Sequence, residues 1–335
     1  MSGPPPAVAA VRSAVRPGLR ASAQPVLVAV SGGADSLALA AAVAFEATRT
    51  GVPAGAVTVD HGLQAGSAQR ARDVAALLRG LDLDPVHVVP VDVGAAGGPE
   101  AAARTARYAA LTRCAEECGA RIALGHTLDD QAETVLLGLG RGSGPRSVAG
   151  MVAERPPFWR PLLGVRRATT RAACADQGLP VWDDPWNTDP AYRRARLRAE
   201  VLPLLEDVLG GVAPALARTA DLLREDLDAL DALAGEHLAG LTGPAGLPAA
   251  ELARLPAALR RRVLRGWLRG AGVGDLQAVH LGAVDALLTG WHGQGPVALP
   301  GGAEALRASG RLVLRPAGSP GGSAAVAPDP EEQHP

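Results

Sequence analysis

The sequence contains no lysine. All 33 basic residues are therefore arginine, which excludes Schiff-base catalysis by a side-chain amine and the lysine-dependent G-x-x-x-x-G-K-[ST] phosphate loop. Aromatic residues make up 3% of the chain, and asparagine and isoleucine occur once each, at Asn187 and Ile122. So broad a bias, in a chain rich in Ala, Arg, Gly and Pro, follows high-GC codon usage and says little about function. The three cysteines, Cys114, Cys118 and Cys174, are too few for a disulfide framework. The C-x-x-x-C spacing of the first two is neither a zinc nor a redox spacing, so buried reduced thiols are expected. No apolar run approaches the ~18 residues needed to cross a bilayer, and Met1 to Ala10 has no charged segment leading into an apolar core. A soluble, cytoplasmic protein is expected. The formal charge of -1 gives no global sign of a polyanionic partner, so any nucleic-acid surface must come from local clusters of arginine.

What is present is ordinary globular material. With 335 residues, 47% of them hydrophobic, the chain can bury one sizeable core and a smaller one. Short β-like runs at Val26 to Val30, Ala56 to Val59, Val86 to Val91 and Ile122 to Leu124 alternate with helical patterns at Ser36 to Arg49, Ser67 to Arg79, Pro99 to Cys118 and Asp129 to Leu139. That alternation predicts a parallel α/β sheet with helices on both faces, Rossmann-like in architecture. After about Leu209 the pattern changes to Leu/Ala/Arg helices, Ala213 to Leu241 and Pro256 to Arg269. A small meander follows at Val297 to Leu299, Ala303 to Ala308 and Leu312 to Leu314. We therefore expect a flexible N-terminus over 1–20, a catalytic α/β domain over 21–210 and a smaller, mostly helical α+β domain over 211–316. Gly210-Gly211 marks the boundary, and a disordered tail is expected over 317–335.

Chemistry begins where Val26-Leu-Val-Ala-Val30 runs through Ser31-Gly-Gly-Ala-Asp-Ser36 directly into a helix. Gly32 and Gly33 allow close backbone approach. Their N–H groups and the helix N-terminus face one point, and the Ser31 and Ser36 hydroxyls add donors for phosphate oxygens. Asp35 would repel a phosphate unless a divalent cation lay between them, so its expected role is that of a magnesium ligand. A short Gly-rich loop alone could simply cap a helix, but the strand, loop and helix context with S-G-G-x-D-S resembles the pyrophosphate (PP) loop of the ATP pyrophosphatase superfamily. That resemblance implies ATP as substrate, split to AMP and pyrophosphate.

Further motifs select a branch. They are Val59-Asp-His-Gly-Leu63, Glu100-Ala-Ala-Ala-Arg-Thr-Ala-Arg-Tyr108, Gly125-His-Thr-Leu-Asp-Asp-Gln-Ala-Glu-Thr134, Arg141-Gly-Ser-Gly144, Arg160-Pro-Leu-Leu163, Trp182-Asp-Asp-Pro-Trp-Asn187, Tyr192-Arg-Arg-Ala-Arg-Leu-Arg198 and Leu202-Pro203. In this order they resemble the tRNA(Ile)-lysidine synthase family over nearly the whole first domain. The second domain is more loosely similar to that family's substrate-binding domain. The resemblance implies adenylation of C2 of the first anticodon cytidine in an isoleucine tRNA with a CAU anticodon, followed by attack of the L-lysine ε-amine. It also implies nucleotide contacts by Ser31, Gly32, Gly33, Ala34, Asp35, Ser36, Asp60, His61 and Gly125. The chain departs from the family pattern at Ala195, where asparagine is usual, and at Trp186, where a small residue is usual.

Asp130 and Glu133, three apart at a helix start, can present paired carboxylates to an ammonium or a metal. Acids favoured by the helix dipole, with Asp129 as the cap, would look the same. His126 is either a catalytic or nucleotide contact or a buried hydrogen-bonded histidine. Arg104 and Arg107 could neutralise phosphate or hold a carboxylate. Arg193, Arg194, Arg196 and Arg198, with Arg260, Arg261, Arg262, Arg265 and Arg269, could follow a tRNA backbone or form solvated helix faces. The alternative reading is another PP-loop enzyme. A sulfur-transferring tRNA enzyme would need a cysteine pair or cluster motif that is missing here, and a glutaminase-coupled synthetase would need an N-terminal cysteine. The residues leave open whether the chain acts as a homodimer.

Overall fold

The computed structural model describes residues 3–64, 66–94, 99–142, 144–187, 189–243 and 245–315; the tail expected to be disordered lies outside them. The chain divides into two compact units, Met1–Leu223 and Arg224–Pro335.

The first unit opens with α1 (Pro6–Arg20), then β1 (Val26–Ala29), α2 (Ala34–Thr50), β2 (Ala54–Asp60), α3 (Ser67–Arg79), β3 (Val86–Pro90), α4 (Pro99–Cys118), β4 (Arg121–Leu124) and α5 (Leu128–Arg141). It continues through α6 (Pro145–Val148), β5 (Glu154–Arg155), β6 (Phe158–Trp159), α7 (Arg167–Asp176), α8 (Arg193–Arg196) and α9 (Leu202–Leu209) into α10 (Val212–Leu241). The sheet order is β3-β2-β1-β4-β6-β5, with every pairing parallel except that of β5 with β6.

Strand residues alternate between two cores, as the period of two demands. Val26, Val28, Ala56 and Ala123 pack with α1, α2, α3 and α7 on one face, while Leu27, Val57, Ile122 and Leu124 pack with α4 on the other. The expected doubly covered parallel sheet is therefore present. Because β2 and β3 lie on one side of β1 and β4 on the other, the carboxyl ends of β1 and β4 form a topological switch point, the place where open α/β sheets bind ligands.

Two expectations need correction. Of the N-terminus expected to be flexible over 1–20, Pro6–Arg20 is helical: Val8, Val11, Val15 and Leu19, spaced by three and four, are all buried along one side of α1. Burial of that apolar stripe in the main core outweighs the turn-forming prolines that precede it. The boundary also lies later than Gly210-Gly211, inside α10, because Ala213 and Leu216 pack with Ala132 and Leu136 of α5 and Leu202 of α9.

The second unit contains the rest of α10, β7 (Leu247–Pro248), α11 (Ala249–Arg254), α12 (Ala257–Gly270), α13 (Ala278–Thr289), β8 (Val297–Ala298), β9 (Glu304–Ala308) and β10 (Arg311–Arg315). The expected meander is β8-β9-β10. The unanticipated two-residue β7 adds a fourth strand beside β10, giving the order β7-β10-β9-β8. Leu252, Val263, Leu264, Leu268, Leu281, Val284 and Leu287 fill its core.

Candidate active site

A cavity of about 700 Å³ opens at the switch point. Ser31, Gly33, Ala34, Asp35 and Ser36 line one side, Asp60 and His61 the end of β2, and Gly125, His126 and Asp130 the end of β4; Arg107, Arg167, Arg171, Trp182 and Arg198 also line it. Most residues expected to meet nucleotide thus come together in one place.

The loop is shaped by its own hydroxyls. Ser36 Oγ donates to Gly33 O at 2.9 Å and accepts from Ser31 N at 3.2 Å. Gly32 adopts φ 90°, a conformation that glycine takes without strain, and a Cβ there would meet Val74 at 3.0 Å. Gly33 stands at the N-cap of α2 without a capping side chain, so the first-turn amides, which have no partner within a helix, are left for an anion. Trp182 N donates to Gly32 O at 3.0 Å. The Arg70 guanidinium lies 3.8 Å from the centroid of the Trp182 ring, fixing the 182–184 segment beside the loop.

Asp35 accepts the hydroxyl of Thr170 and lies 3.5 Å from Arg167 Nε. Burial pushes its carboxyl above the ordinary range despite the lowering influence of Thr170 and Arg167. A divalent cation would relieve that cost. Among the described residues no group of three His, Cys, Asp or Glu side chains is placed to hold a metal. Magnesium fits such a site, because it takes most of its ligands from phosphate oxygens and water and only one or two from carboxylates.

The structure places Asp129, Asp130 and Glu133 differently from a plain acidic helix start. Thr127, not Asp129, caps α5, in a capping box closed by Asp130, whose Oδ2 accepts from Thr127 N at 2.8 Å. Asp129 instead caps another helix, accepting from Arg167 N of α7 at 2.7 Å. Asp130 Oδ1 is 2.6 Å from Arg167 Nη2. Glu133, 0% exposed, accepts from Arg198 Nε at 2.9 Å and from Arg167 Nη2 at 3.2 Å. Burial pushes the Asp130 carboxyl up, but Arg167, the Thr127 amide and His126 outweigh it and hold the group below the ordinary range. The carboxylate pair is therefore not an open ammonium seat: two guanidiniums already share it.

Burial, helped by Arg160, Arg104 and Arg107 and opposed by Asp130, lowers the His126 imidazole to about 3. Its Nδ1 has no hydrogen-bond partner among the described residues. It is neutral at physiological pH and too weak a base to deprotonate an alkylammonium of pKa ~10.4, so its geometry suits hydrogen bonding rather than proton abstraction. Arg107 lines the cavity, whereas the Arg104 guanidinium lies 4.8 Å from the Tyr108 ring centroid. Arg196 turns to Glu200 at 2.9 Å, Arg194 is half-buried on α8, and Arg198 reaches the cavity. In the second unit Arg260 is buried against Asp285 at 2.5 Å, which removes it from any solvent-facing cluster. Arg261, Arg265 and Arg269 remain exposed. The sequence alone assigns no role to Arg167, Thr170, Arg70 or Trp182. Arg167 lies just past Arg160-Pro-Leu-Leu163, a motif that carries only family resemblance and no chemistry of its own.

A PP-loop domain model matches residues 8–205, and a TilS substrate binding domain model matches residues 247–313. The chain is 56% identical over 321 residues to the tRNA(Ile)-lysidine synthase of Thermobifida fusca, covering 94% of this chain and 99% of that protein. It belongs to the tRNA(Ile)-lysidine synthase family. The enzyme of the same name from Streptomyces coelicolor is 58% identical over 350 residues, covering 93% of this chain and 99% of that one. Among solved structures, the U34-tRNA thiolase NcsA from Methanococcus maripaludis with its [4Fe-4S] cluster superimposes with a TM-score of 0.54 at 18% identity. The match covers 65% of this chain and 79% of that one, a likeness of fold alone. Members of this family are ATP-dependent ligases, and the chain carries the PP-loop domain that ATP use requires. No helix among the described residues is long and apolar enough to cross a membrane.

Proposed function

We propose that the chain uses ATP and magnesium in the cytoplasm to convert the first anticodon cytidine of an isoleucine tRNA with a CAU anticodon into lysidine. The observation that carries this reading is one cavity that joins a phosphate loop carrying Asp35 to the carboxylate of Asp130, with the buried Glu133 tied to both through Arg167. The C2 oxygen of cytidine is a very poor leaving group, so an amine cannot displace it directly. In the first step that oxygen attacks the α-phosphorus of ATP, forming an O–P bond as pyrophosphate leaves. In the second the lysine ε-nitrogen attacks C2, the C2–O bond breaks, AMP departs with the oxygen, and the nitrogen loses its proton.

Ser31, Gly32, Gly33, Ala34 and Ser36 cradle the departing pyrophosphate through amides and hydroxyls, while Asp60, His61 and Gly125 bound the nucleotide. Asp35 would hold magnesium, which would supply charge neutralisation for the phosphates. Asp130, which lines the cavity, meets the lysine ammonium by a charge-assisted hydrogen bond, and Glu133, buried behind it, acts through Arg167 and Arg198. Because Arg167 and Arg198 already share these carboxylates, the hold of Asp130 on the ammonium is moderated, which eases proton loss. Arg107 and Arg198 inside the cavity, and Arg104, Arg194 and Arg196 outside it, supply phosphate or carboxylate contacts to tRNA and lysine.

The test is incubation with ATP, magnesium, radiolabelled lysine and a panel of tRNA transcripts. One transcript, the CAU isoleucine tRNA, should become labelled, with AMP and pyrophosphate produced in step. Asp35→Ala should cut pyrophosphate release by orders of magnitude and leave tRNA affinity within twofold. Formation of ADP and phosphate, or labelling of every transcript alike, would sink this reading.

A further inference from the structure

A cation at the first position of a helix opposes the helix dipole, whose N-terminal end is positive. Arg167 occupies that position in α7, and the N-cap before it, Arg166, makes no side-chain cap. Three carboxylates from two other helices offset the conflict. Arg167 Nε lies 3.5 Å from Asp35 Oδ2, and Nη2 lies 2.6 Å from Asp130 Oδ1 and 3.2 Å from Glu133 Oε1. One turn along the same helix face, the buried Thr170 donates its hydroxyl to the other oxygen of Asp35. Such a local misfit, repaired only by distant partners at a cavity wall, marks a position chosen for something other than helix stability.

We infer that Arg167, with Thr170, is a positioning residue that sets Asp35 of the phosphate loop in register with Asp130 and Glu133, so that the ATP half and the amine half of the site are held as one unit. A guanidinium is a rigid planar fork. Its Nε and Nη2 are a fixed distance apart, so carboxylates carried by α2 and α5 cannot drift independently while both are bonded to it. Thr170 removes the remaining freedom of Asp35 by fixing its second oxygen. Arg167 and Arg198 also offset most of the repulsion that the three carboxylates would otherwise exert on one another. An ammonium in place of the guanidinium could hold the charge balance but not the fixed geometry.

This inference rests on the proposed division of the site into ATP and amine halves. It is tested on the full chain with Arg167→Lys, Arg167→Gln and Thr170→Val. Pyrophosphate release from ATP, magnesium and tRNA is followed in single turnover without lysine, then lysine-dependent AMP release, with melting temperature and tRNA affinity measured alongside. Arg167→Gln should lower the saturated rate of pyrophosphate release at least tenfold, with KM for ATP within threefold and tRNA affinity within twofold. Arg167→Lys should recover part of that loss. Thr170→Val should slow pyrophosphate release yet leave KM for lysine unchanged, because its hydroxyl reaches Asp35 and not the α5 pair. Wild-type rates in Arg167→Gln would overturn the inference, as would losses that merely follow melting temperature with Arg167→Lys no better than Arg167→Gln. A wild-type chain that releases pyrophosphate but never incorporates lysine would instead overturn the substrate reading and leave the arginine test standing.

Discussion

Gly125, at the end of β4, presses on the peptide that joins Asp35 to Ser36: a Cβ on Gly125 would lie 3.0 Å from both Asp35 C and Ser36 N. The obstacle is backbone rather than a yielding side chain, so the start of α2 and the loop before it would have to move.

Gly125→Ala should therefore cost about 1–3 kcal/mol by overpacking and lower turnover at least tenfold, since displacement of reacting groups by even ~1 Å is catalytically expensive. Gly164→Ala, which meets nothing within 4 Å, serves as the control. Equal turnover in the two variants would show that the contact does not position the loop.

Glu133 and Asp130 should respond differently to neutralisation. Glu133→Gln removes a fully buried charge shared by Arg198 and Arg167, which keep Asp130 and Asp35 as partners, so the loss should be about 1–3 kcal/mol. A melting temperature lowered by several degrees should accompany any fall in lysine affinity. Asp130→Asn should lose the charge while its amide oxygen still accepts from the Thr127 amide, giving a smaller stability loss and a cleaner rise in KM for lysine. If neither variant alters the lysine dependence, the pair has a purely structural role.

His126 sets a pH signature. Its folded value is about 3, against ~6.5 in an unfolded chain. Below pH ~6.5 the unfolded chain therefore binds a proton that the folded chain refuses. Its contribution to stability is complete above that pH and is lost progressively as the pH falls toward the folded value. Thermal melts from pH 7 to pH 4 should fall less steeply for His126→Gln than for the natural sequence. Parallel slopes would mean that the imidazole is protonated in the folded state.

The arginines of α12 should not contribute equally to RNA binding. Arg260 is locked to Asp285 inside the second unit, so Arg260→Gln should unfold that unit at lower temperature. Arg265→Gln with Arg269→Gln should instead leave melting unchanged and flatten the dependence of log K on log salt by roughly one for each phosphate no longer neutralised. An unaltered slope would make the exposed face of α12 a solvated surface only.

The phosphate loop is legible in the sequence because its requirements are local: two glycines, two hydroxyls and one acid in the turn between a strand and a helix. The first four strands, β1 to β4, are legible for the same reason, through their short apolar runs. What stays hidden depends on distant partners. Asp129 looks like the cap of its own helix until α7 is seen to take it at Arg167 N. Arg167 itself carries no signal, because an arginine at a helix start is locally unfavourable and makes sense only beside acids from α2 and α5. The stripe Val8, Val11, Val15 and Leu19 is present in the sequence, but the preceding prolines locally favour a loose terminus. β5, β6 and β7, at two residues each, are too short to show any period.

The cations that brace Asp130 and Glu133 are guanidiniums throughout. Such groups stay protonated at any physiological pH and are therefore poor nucleophiles. A lysine braced there would place a tethered copy of the substrate amine beside an activated base and could become joined to the RNA in its place. With arginine in those positions, the groups that brace the two carboxylates carry no amine able to compete with an incoming one.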